Sequence, residues 1–198
     1  MKEITFLTNK KGDKVAAVVP IEDWKKLKSA YRKLREEEET YAEPPKIGKG
    51  KKALYVVQES PIHGKGVFAS AAIQKGTPII EYQGKHISSD EADALASDDE
   101  SGHHFTVLFS IDDDTVIDAS QKGNDARFIN HACDPNCEAV QYGQRVFIEA
   151  IKDIPKGTEL TYDYHLQVEK PHTKKKLAQY VCHCGSKKCR GTQVDLDS

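Results

Sequence analysis

Long apolar runs are missing from this chain. No stretch approaches the roughly 20 residues that span a bilayer, and the amino terminus lacks the apolar core of a secretory signal. These absences predict a soluble cytoplasmic protein with no membrane partner, and leave open its export into a host cell or delivery to a nucleus. An excess of positive charge is missing too. Lys and Arg number 29 against 31 Asp and Glu, a formal net charge of −2, so no overall basic field holds nucleic acid nonspecifically. Cysteine is scarce: five in 198 residues, an odd count. With no signal and a Lys/Glu-rich composition, that argues against a disulfide framework. The length allows one good core plus a small appendage.

What is present is concentrated in two stretches. The first, Gly123 to Glu138, reads G-N-D-A-R-F-I-N-H-A-C-D-P-N-C-E. Arg127, Asn130, His131 and Asn136 crowd there with Cys133 and Cys137 around the apolar step Phe128-Ile129. Such side chains hydrogen-bond well and bury badly without partners, so grouping them beside thiols points to a ligand or a metal. The plainer alternative is an Asx-rich surface turn at Asp134-Pro135-Asn136. The second stretch, C-H-C-G-S-K-K-C-R-G from Cys182 to Gly191, holds the other three cysteines. Thiols at this spacing can wrap one tetrahedral ion, and a closed zinc site needs a fourth ligand. Cys133 or Cys137 can supply it. His183 is a further candidate, though a histidine between two ligating cysteines more often points outward.

Residues 1–46 read as a separate ββα unit. Ile4 and Phe6 alternate, Lys11-Gly12-Asp13 marks a turn, and Val15 to Val19 is a second β-prone run. Trp24, Leu27, Tyr31 and Leu34 then share one helical face. This unit is expected to dimerise with a second copy or to pack on the rest of the chain. It shares a short resemblance with the amino-terminal piece of Phd/YefM-type antitoxins, which implies dimerisation and DNA binding; a plain packing or dimerisation element is the preferred expectation. Residues 47–53 continue the Pro- and Lys/Gly-rich run from Glu43 as a linker.

From Leu54 the pattern predicts strands. Leu54 to Gln58 leads to the turn sequence His63-Gly64-Lys65-Gly66. One turn chemistry then occurs twice: Ile73-Gln74-Lys75-Gly76-Thr77 enters Pro78 to Tyr82, and Ile154-Pro155-Lys156-Gly157-Thr158 enters Glu159 to Tyr162. Ser88 to Ser101 predicts a short helix and loop carrying Asp90, Glu91, Asp93, Asp98, Asp99 and Glu100. Strands are predicted over 105–111 and 115–117 around an Asp112-Asp113-Asp114 turn.

R-F-I-N-H-A-C-D-P-N-C, then E-L-T-Y-D-Y from Glu159 to Tyr164, then C-H-C-G-S-K-K-C-R-G, together resemble a SET-domain protein lysine methyltransferase with its post-SET zinc segment. The resemblance runs from about Leu54 to the carboxy terminus. It implies a mainly β fold of small curved sheets, with a pseudoknot-like core that departs from the usual unthreaded connections. It divides this region into a SET domain at 54–168 and a zinc-binding tail at 169–198. It also implies transfer of a methyl group from S-adenosylmethionine to a lysine ε-amine of a basic protein or peptide, histone or histone-like. Tyr164 and Tyr162 are the expected catalytic residues. Gly64, Lys65, Gly66, Tyr82, Asn130 and His131 are the expected cofactor contacts, and Cys133, Cys182, Cys184 and Cys189 the expected ligands of a structural Zn2+. Arg127 and Asp163 are expected to support the fold. Tyr162 stands where the family has Phe or Tyr, and the tyrosine implies monomethylation over trimethylation. Val107 stands where the family often has an aromatic, and either Val194 or Leu196 is a candidate to close the lysine channel. The alternative is a catalytically weak SET module that serves as a peptide-binding platform. Acidic residues of the 88–101 segment would suit a basic peptide.

Overall fold

The computed structural model describes residues 5–8, 14–18, 26, 43–47, 53–97, 107–168 and 170–196. The chain divides into two compact units, Met1–Ala42 and Glu43–Ser198. In the first, β1 (Thr5–Thr8) and β2 (Lys14–Val18) pair antiparallel as a hairpin. The helical face expected through Trp24, Leu27, Tyr31 and Leu34 lies outside the described residues.

The second unit is built mainly of strands in small sheets. β3 (Tyr55–Glu59), β4 (Lys65–Ala69), β12 (Glu159–Tyr162) and β9 (Asn130–His131) form one sheet in that order. β10 (Cys137–Tyr142), β11 (Arg145–Ala150) and β5 (Pro78–Tyr82) form a second. β6 (Lys85–Ser88), β8 (Thr115–Asp118) and β7 (Leu108–Ser110) form a third. Among the described residues no helix is long and apolar enough to cross a membrane.

β11 lies between β10 and β5, so both its backbone edges are paired. Its run Val146-Phe147-Ile148 is buried throughout rather than alternating, as expected of a strand covered on both faces. Val146 and Ile148 join Val67, Ile73, Ile117, Ile154 and Leu160 in one core. The repeated turns meet in this core. Ile73 and Ile154 bridge antiparallel, each backbone N–H donating to the other's carbonyl at 2.9 and 2.8 Å. Gly76 and Gly157 take matching left-handed conformations, φ +78 and +84, which a side chain would strain. Neither turn closes a hairpin: the first carries the chain from β4 to β5 and the second from β11 to β12, each time from one sheet to the other, so that β5 pairs with β11 and β12 with β4.

α1 (Ser89–Ser97) begins in a capping box: Glu91 Oε2 accepts from Ser88 N at 2.9 Å and Ser88 Oγ accepts from Glu91 N at 3.2 Å. Glu91, expected on an acidic rim, is therefore committed to holding the helix start. Asp98, Asp99 and Glu100 lie outside the described residues. α2 (Lys174–Leu177) is a single turn capped by Thr173.

The pairing that places the site is β9 with β12, parallel, with Asn130 opposite Thr161 and His131 opposite Tyr162. Two stretches far apart in sequence become neighbours through four residues.

Candidate active site and cysteine cluster

A 3-10 turn at Asp125–Phe128 delivers the chain into β9. Asn124 starts the turn: its side chain accepts from Ala126 N at 3.3 Å and donates to Glu81 O at 2.7 Å. Beyond it, the Asn130 amide lies near four acceptors: Glu159 Oε1 (2.8 Å), Ser60 Oγ (3.0 Å), Lys65 O (3.0 Å) and His63 O (3.3 Å). Its two hydrogens are shared among them. Ser60 also donates to Glu159 Oε1 at 2.7 Å. This network fastens the His63-Gly64-Lys65-Gly66 loop to β9 and β12.

The two glycines of that loop are required for different reasons. Gly64 has φ +45 with open space around an added Cβ, so its need is conformational. At Gly66 an added Cβ would overlap the Glu159 carboxylate and stand 2.9 Å from Ser60 Cβ, so its need is close approach. Gly66→Ala is therefore expected to cost about 1–3 kcal/mol of stability through overpacking and to disturb the Asn130–Glu159–Ser60 contacts. Gly64→Ala is expected to cost about 1–2 kcal/mol with that network intact. Denaturant melts, with amide exchange at Lys65 to follow the loop, separate the two.

Asn136 is a second backbone clamp rather than a surface turn residue. Its Nδ2 donates to Glu159 O at 2.7 Å and its Oδ1 accepts from Thr161 N at 2.9 Å. The amide thus substitutes for a neighbouring strand along β12.

His131 is 4% exposed, and burial pushes its imidazole down to about 4, against the pull of Asp163. Tyr164 N donates to His131 Nδ1 at 3.2 Å. The neutral ring therefore carries its proton on Nε2, which faces Cys133 Sγ at 3.4 Å. The 3.5 Å approach of Nδ1 to Asp163 is then a contact of a neutral ring, not an ion pair. Asp163 is paired elsewhere: both its oxygens accept from the Arg190 guanidinium, Oδ1 at 2.9 Å and Oδ2 closer still.

Tyr164 Oη donates to Ile129 O at 2.8 Å. Its ring stands edge-on to His131, centroids 5.3 Å apart, and 4.8 Å from the Tyr162 ring. Burial raises the hydroxyls of Tyr82, Tyr162 and Tyr164 above the ordinary phenol value, so all three stay protonated.

The sulfurs of Cys133, Cys182, Cys184 and Cys189 lie within 4.8 Å of one another, and Cys133 and Cys182 are 3.7 Å apart. Zinc–sulfur bonds of ~2.3 Å in a tetrahedron put sulfurs ~3.8 Å apart, so this set fits zinc. Backbone N–H groups of Arg190 and Gly191 point at Cys133 Sγ and Cys189 Sγ, at 3.4 and 3.3 Å, as suits thiolates. Cys137 is not part of the set. It is fully buried, its thiol donates to Asn136 Oδ1 at 3.4 Å, and burial pushes its pKa up to about 12. It is a core thiol.

Two cavities flank this arrangement. One, of about 760 Å³, is bordered by His63, Gly64, Lys65, Asn130, His131 and Tyr164, and by tail residues including Val181 and Cys182. The other, of about 770 Å³, is bordered by Asp93, Phe109, Glu138, Tyr162, Tyr164 and Leu166 among others. Tyr164 borders both.

The family model described as SET domain matches residues 64–165. The chain belongs to the SET domain family. It is 42% identical over 137 residues to "Histone-lysine N-methyltransferase, H3 lysine-4 specific" of Neurospora crassa, covering 67% of this chain and 10% of that protein. It is 37% identical over 148 residues to "Histone-lysine N-methyltransferase 2B" of Homo sapiens, 73% of this chain and 5% of that protein. It is 39% identical over 150 residues to the Saccharomyces cerevisiae "Histone-lysine N-methyltransferase, H3 lysine-4 specific", 73% of this chain and 13% of that protein. The chain thus spans only a small fraction of the length of these relatives.

Within this SET domain, Tyr82 and Gly66 do not border the first cavity. Tyr82 is 2% exposed and donates to Val107 O at 3.2 Å; Val107 is the residue on the cavity wall. In the tail, Val194 is fully buried and bridges Leu166, whereas Leu196 is 46% exposed. Neither borders a cavity; Gln193 does. Arg127 and Phe128 also border the first cavity. The sequence placed Arg127 in a supporting role, and its position three residues before Asn130 was the only signal of more.

Proposed function

We propose that this SET domain is a protein-lysine methyltransferase. The first cavity takes S-adenosylmethionine and the second takes a segment of a histone or similarly basic protein. The observation that carries this reading is Tyr164, the residue among those described that borders both cavities, with a protonated hydroxyl held by Ile129 O. Bound there, S-adenosylmethionine supplies a methyl group on a cationic sulfur.

The residues then have defined work. Gly64, Lys65, Asn130 and His131 shape the first cavity, and Gly66 and Tyr82 hold its walls from behind. A lysine ε-amine has a pKa of roughly 10.4, so presenting it neutral at pH 7.4 costs on the order of 4 kcal/mol in water. The buried surroundings of Tyr162 and Tyr164 disfavour the ammonium, as does a cation across the channel. The proton leaves to solvent before transfer, and no strong base is needed. Tyr164 Oη, whose proton is engaged by Ile129 O, offers its lone pairs to an amine N–H. That contact turns the nitrogen lone pair toward the methyl group for an in-line displacement. Zinc held by Cys133, Cys182, Cys184 and Cys189 would pin the tail against the first cavity. The relatives' names, together with Asp93 and Glu138 on the second cavity, support a basic histone segment as substrate.

Tyr162 borders the peptide side, with its ring 4.8 Å from Tyr164. Its hydroxyl fills space and hydrogen-bonds the amine, which hinders the rotation needed for a second transfer. Monomethyllysine is the expected main product, and Tyr162→Phe is expected to shift it to di- and trimethyllysine with little loss of first-step rate. Mass spectrometry of a peptide time course reads this directly; trimethylation by the unaltered protein would contradict it.

The reaction itself is tested with tritiated S-adenosylmethionine and a panel of core histones, ribosomal proteins and acidic controls. Label on histones is expected. Tight cofactor binding with no transfer to any protein would instead make the domain a peptide-binding platform.

A further inference from the structure

The net charge of −2 hides an uneven distribution. Residues 169–198 carry seven Lys and Arg against three Asp and Glu, which leaves 22 against 28 for the rest of the chain. The tail is thus the basic part of an otherwise acidic chain. Two of its seven cations are committed within the fold. Arg190 is paired with Asp163, and Lys188 Nζ lies 3.6 Å from Asp134 Oδ1. Lys170, Lys174, Lys175 and Lys187 are exposed, and among the described residues none of the four forms an ion pair.

The fold gathers these lysines onto one small unit. α2, which carries Lys174 and Lys175, runs straight into a 3-10 turn at Ala178–Tyr180. Tyr180 O accepts from Gln193 N at 2.8 Å and from Thr192 Oγ1 at 3.1 Å. Cys182 N donates to Gly191 O at 3.2 Å. The lysine turn is therefore tied to the cysteine loop that carries Lys187. Like charges held together this way repel one another, and a polyanion relieves that repulsion.

The unit also has a definite place. Ala178, Gln179 and Gln193 border the first cavity, and Val194 bridges Leu166 on the wall of the second. That second cavity has the opposite character, with Asp93 and Glu138 on its border. A free basic peptide is drawn to these carboxylates and repelled by the tail. A basic protein in complex with nucleic acid suits both surfaces: its lysines meet the acidic border and the phosphates meet the tail.

We infer that Lys170, Lys174, Lys175 and Lys187 form a binding site for the phosphate backbone of nucleic acid. The inference rests on the proposal that the substrate is a basic protein, and adds that this protein is engaged while it is bound to nucleic acid. Exposed ammonium groups on flexible stems suit phosphates contacted by charge, without reading of sequence. The site acts on affinity for the substrate complex and leaves the chemistry to the cavity residues.

The test is fluorescence anisotropy of short labelled duplexes, one DNA and one RNA of the same sequence, with the full-length, zinc-loaded protein. Three to five phosphate contacts predict an affinity that falls about 50–500-fold between about 50 and 200 mM salt. The triple variant Lys174→Gln, Lys175→Gln, Lys187→Gln is expected to reduce the magnitude of the salt slope by about 3 and to weaken binding about tenfold or more at low salt. The tighter of the two duplexes identifies the nucleic acid. Zinc content and circular dichroism check the fold of the variant. Its methylation of a free histone peptide should be unchanged, while its methylation of the same histone assembled on DNA should fall. Duplex binding that the triple variant leaves unchanged, or that does not weaken with salt, would overturn the inference and leave the methyltransferase reading standing. Displacement of the duplex by polyglutamate at equal charge would also overturn it, because the partner would then be an acidic protein. Variant-sensitive duplex binding with no methyl transfer to any histone would overturn the methyltransferase reading and leave the phosphate site in place.

Discussion

Tyr164→Phe is expected to lower kcat for methyl transfer by about 10²–10³-fold, the range seen when one pre-placed hydrogen-bonding group is removed from a reacting centre. The substitution deletes a single oxygen. The ring keeps its edge contact with His131 and its neighbour Tyr162, and Tyr164 N still donates to His131 Nδ1. What disappears is the hydroxyl held by Ile129 O at the wall between the cavities. Affinity for S-adenosylmethionine should therefore change little, and the loss should fall on kcat. Because burial raises the Tyr164 hydroxyl well above neutral pH, no phenolate is available to act as base. The rise of rate with pH should then report the substrate lysine and keep its position in the mutant. Steady-state kinetics across pH, with near-UV circular dichroism as a fold control, tests both statements. A Tyr164→Phe protein with unchanged kcat would remove the hydroxyl from the mechanism.

Removing zinc is expected to lower activity by about 10²-fold or more, since misplacement of a site by an ångström or so has that scale of effect, and to do so before the domain unfolds. The cluster is connected to the site by two routes. His131 spans from Cys133 Sγ to the backbone of Tyr164. Arg190, beside Cys189, donates from its backbone to Cys133 Sγ and from its guanidinium to Asp163, next to Tyr164. Without the metal, four sulfurs this close have no common counter-charge, and the tail that carries Val181, Cys182 and Gln193 onto the first cavity is released. The main core around Val67, Ile148, Ile154 and Leu160 contains none of the four cluster cysteines and neither Val181 nor Gln193, so far-UV circular dichroism should be largely retained. Chelation monitored by metal analysis, with Cys133→Ser as the genetic equivalent, makes the comparison. Full activity in demonstrably metal-free protein would separate the cluster from the site.

Much of this arrangement was legible in the sequence because its parts are contiguous. Arg127 through Cys133 carries the turn, the paired Asn130 and His131 and one cluster sulfur within seven residues. The two Ile-x-Lys-Gly-Thr turns read as one turn chemistry used twice, and the strands β5 and β12 begin where those turns end. A repeated turn suggests two hairpins, but each turn instead crosses between sheets, because β5 pairs with β11 and β12 with β4. Contacts that close over long separations were not legible. Ser60 meets Glu159 across 99 positions, and nothing local marks either as part of a network with Asn130. Asn136 sits in an Asp-Pro-Asn sequence that reads as a turn, and only β12 reveals it as a strand clamp. Spacing left Cys133 and Cys137 equivalent as fourth ligands; strand β10 carries Cys137 into the core instead. Glu91 read as rim charge because a capping box needs the helix start to be known.

The most direct measurement is tandem mass spectrometry of core histones incubated with isotopically labelled S-adenosylmethionine and the full chain. The account predicts one labelled methyl on a lysine Nε of a histone, lost with Tyr164→Phe. Label on another atom type, or none on any histone while the protein binds S-adenosylmethionine, would contradict it.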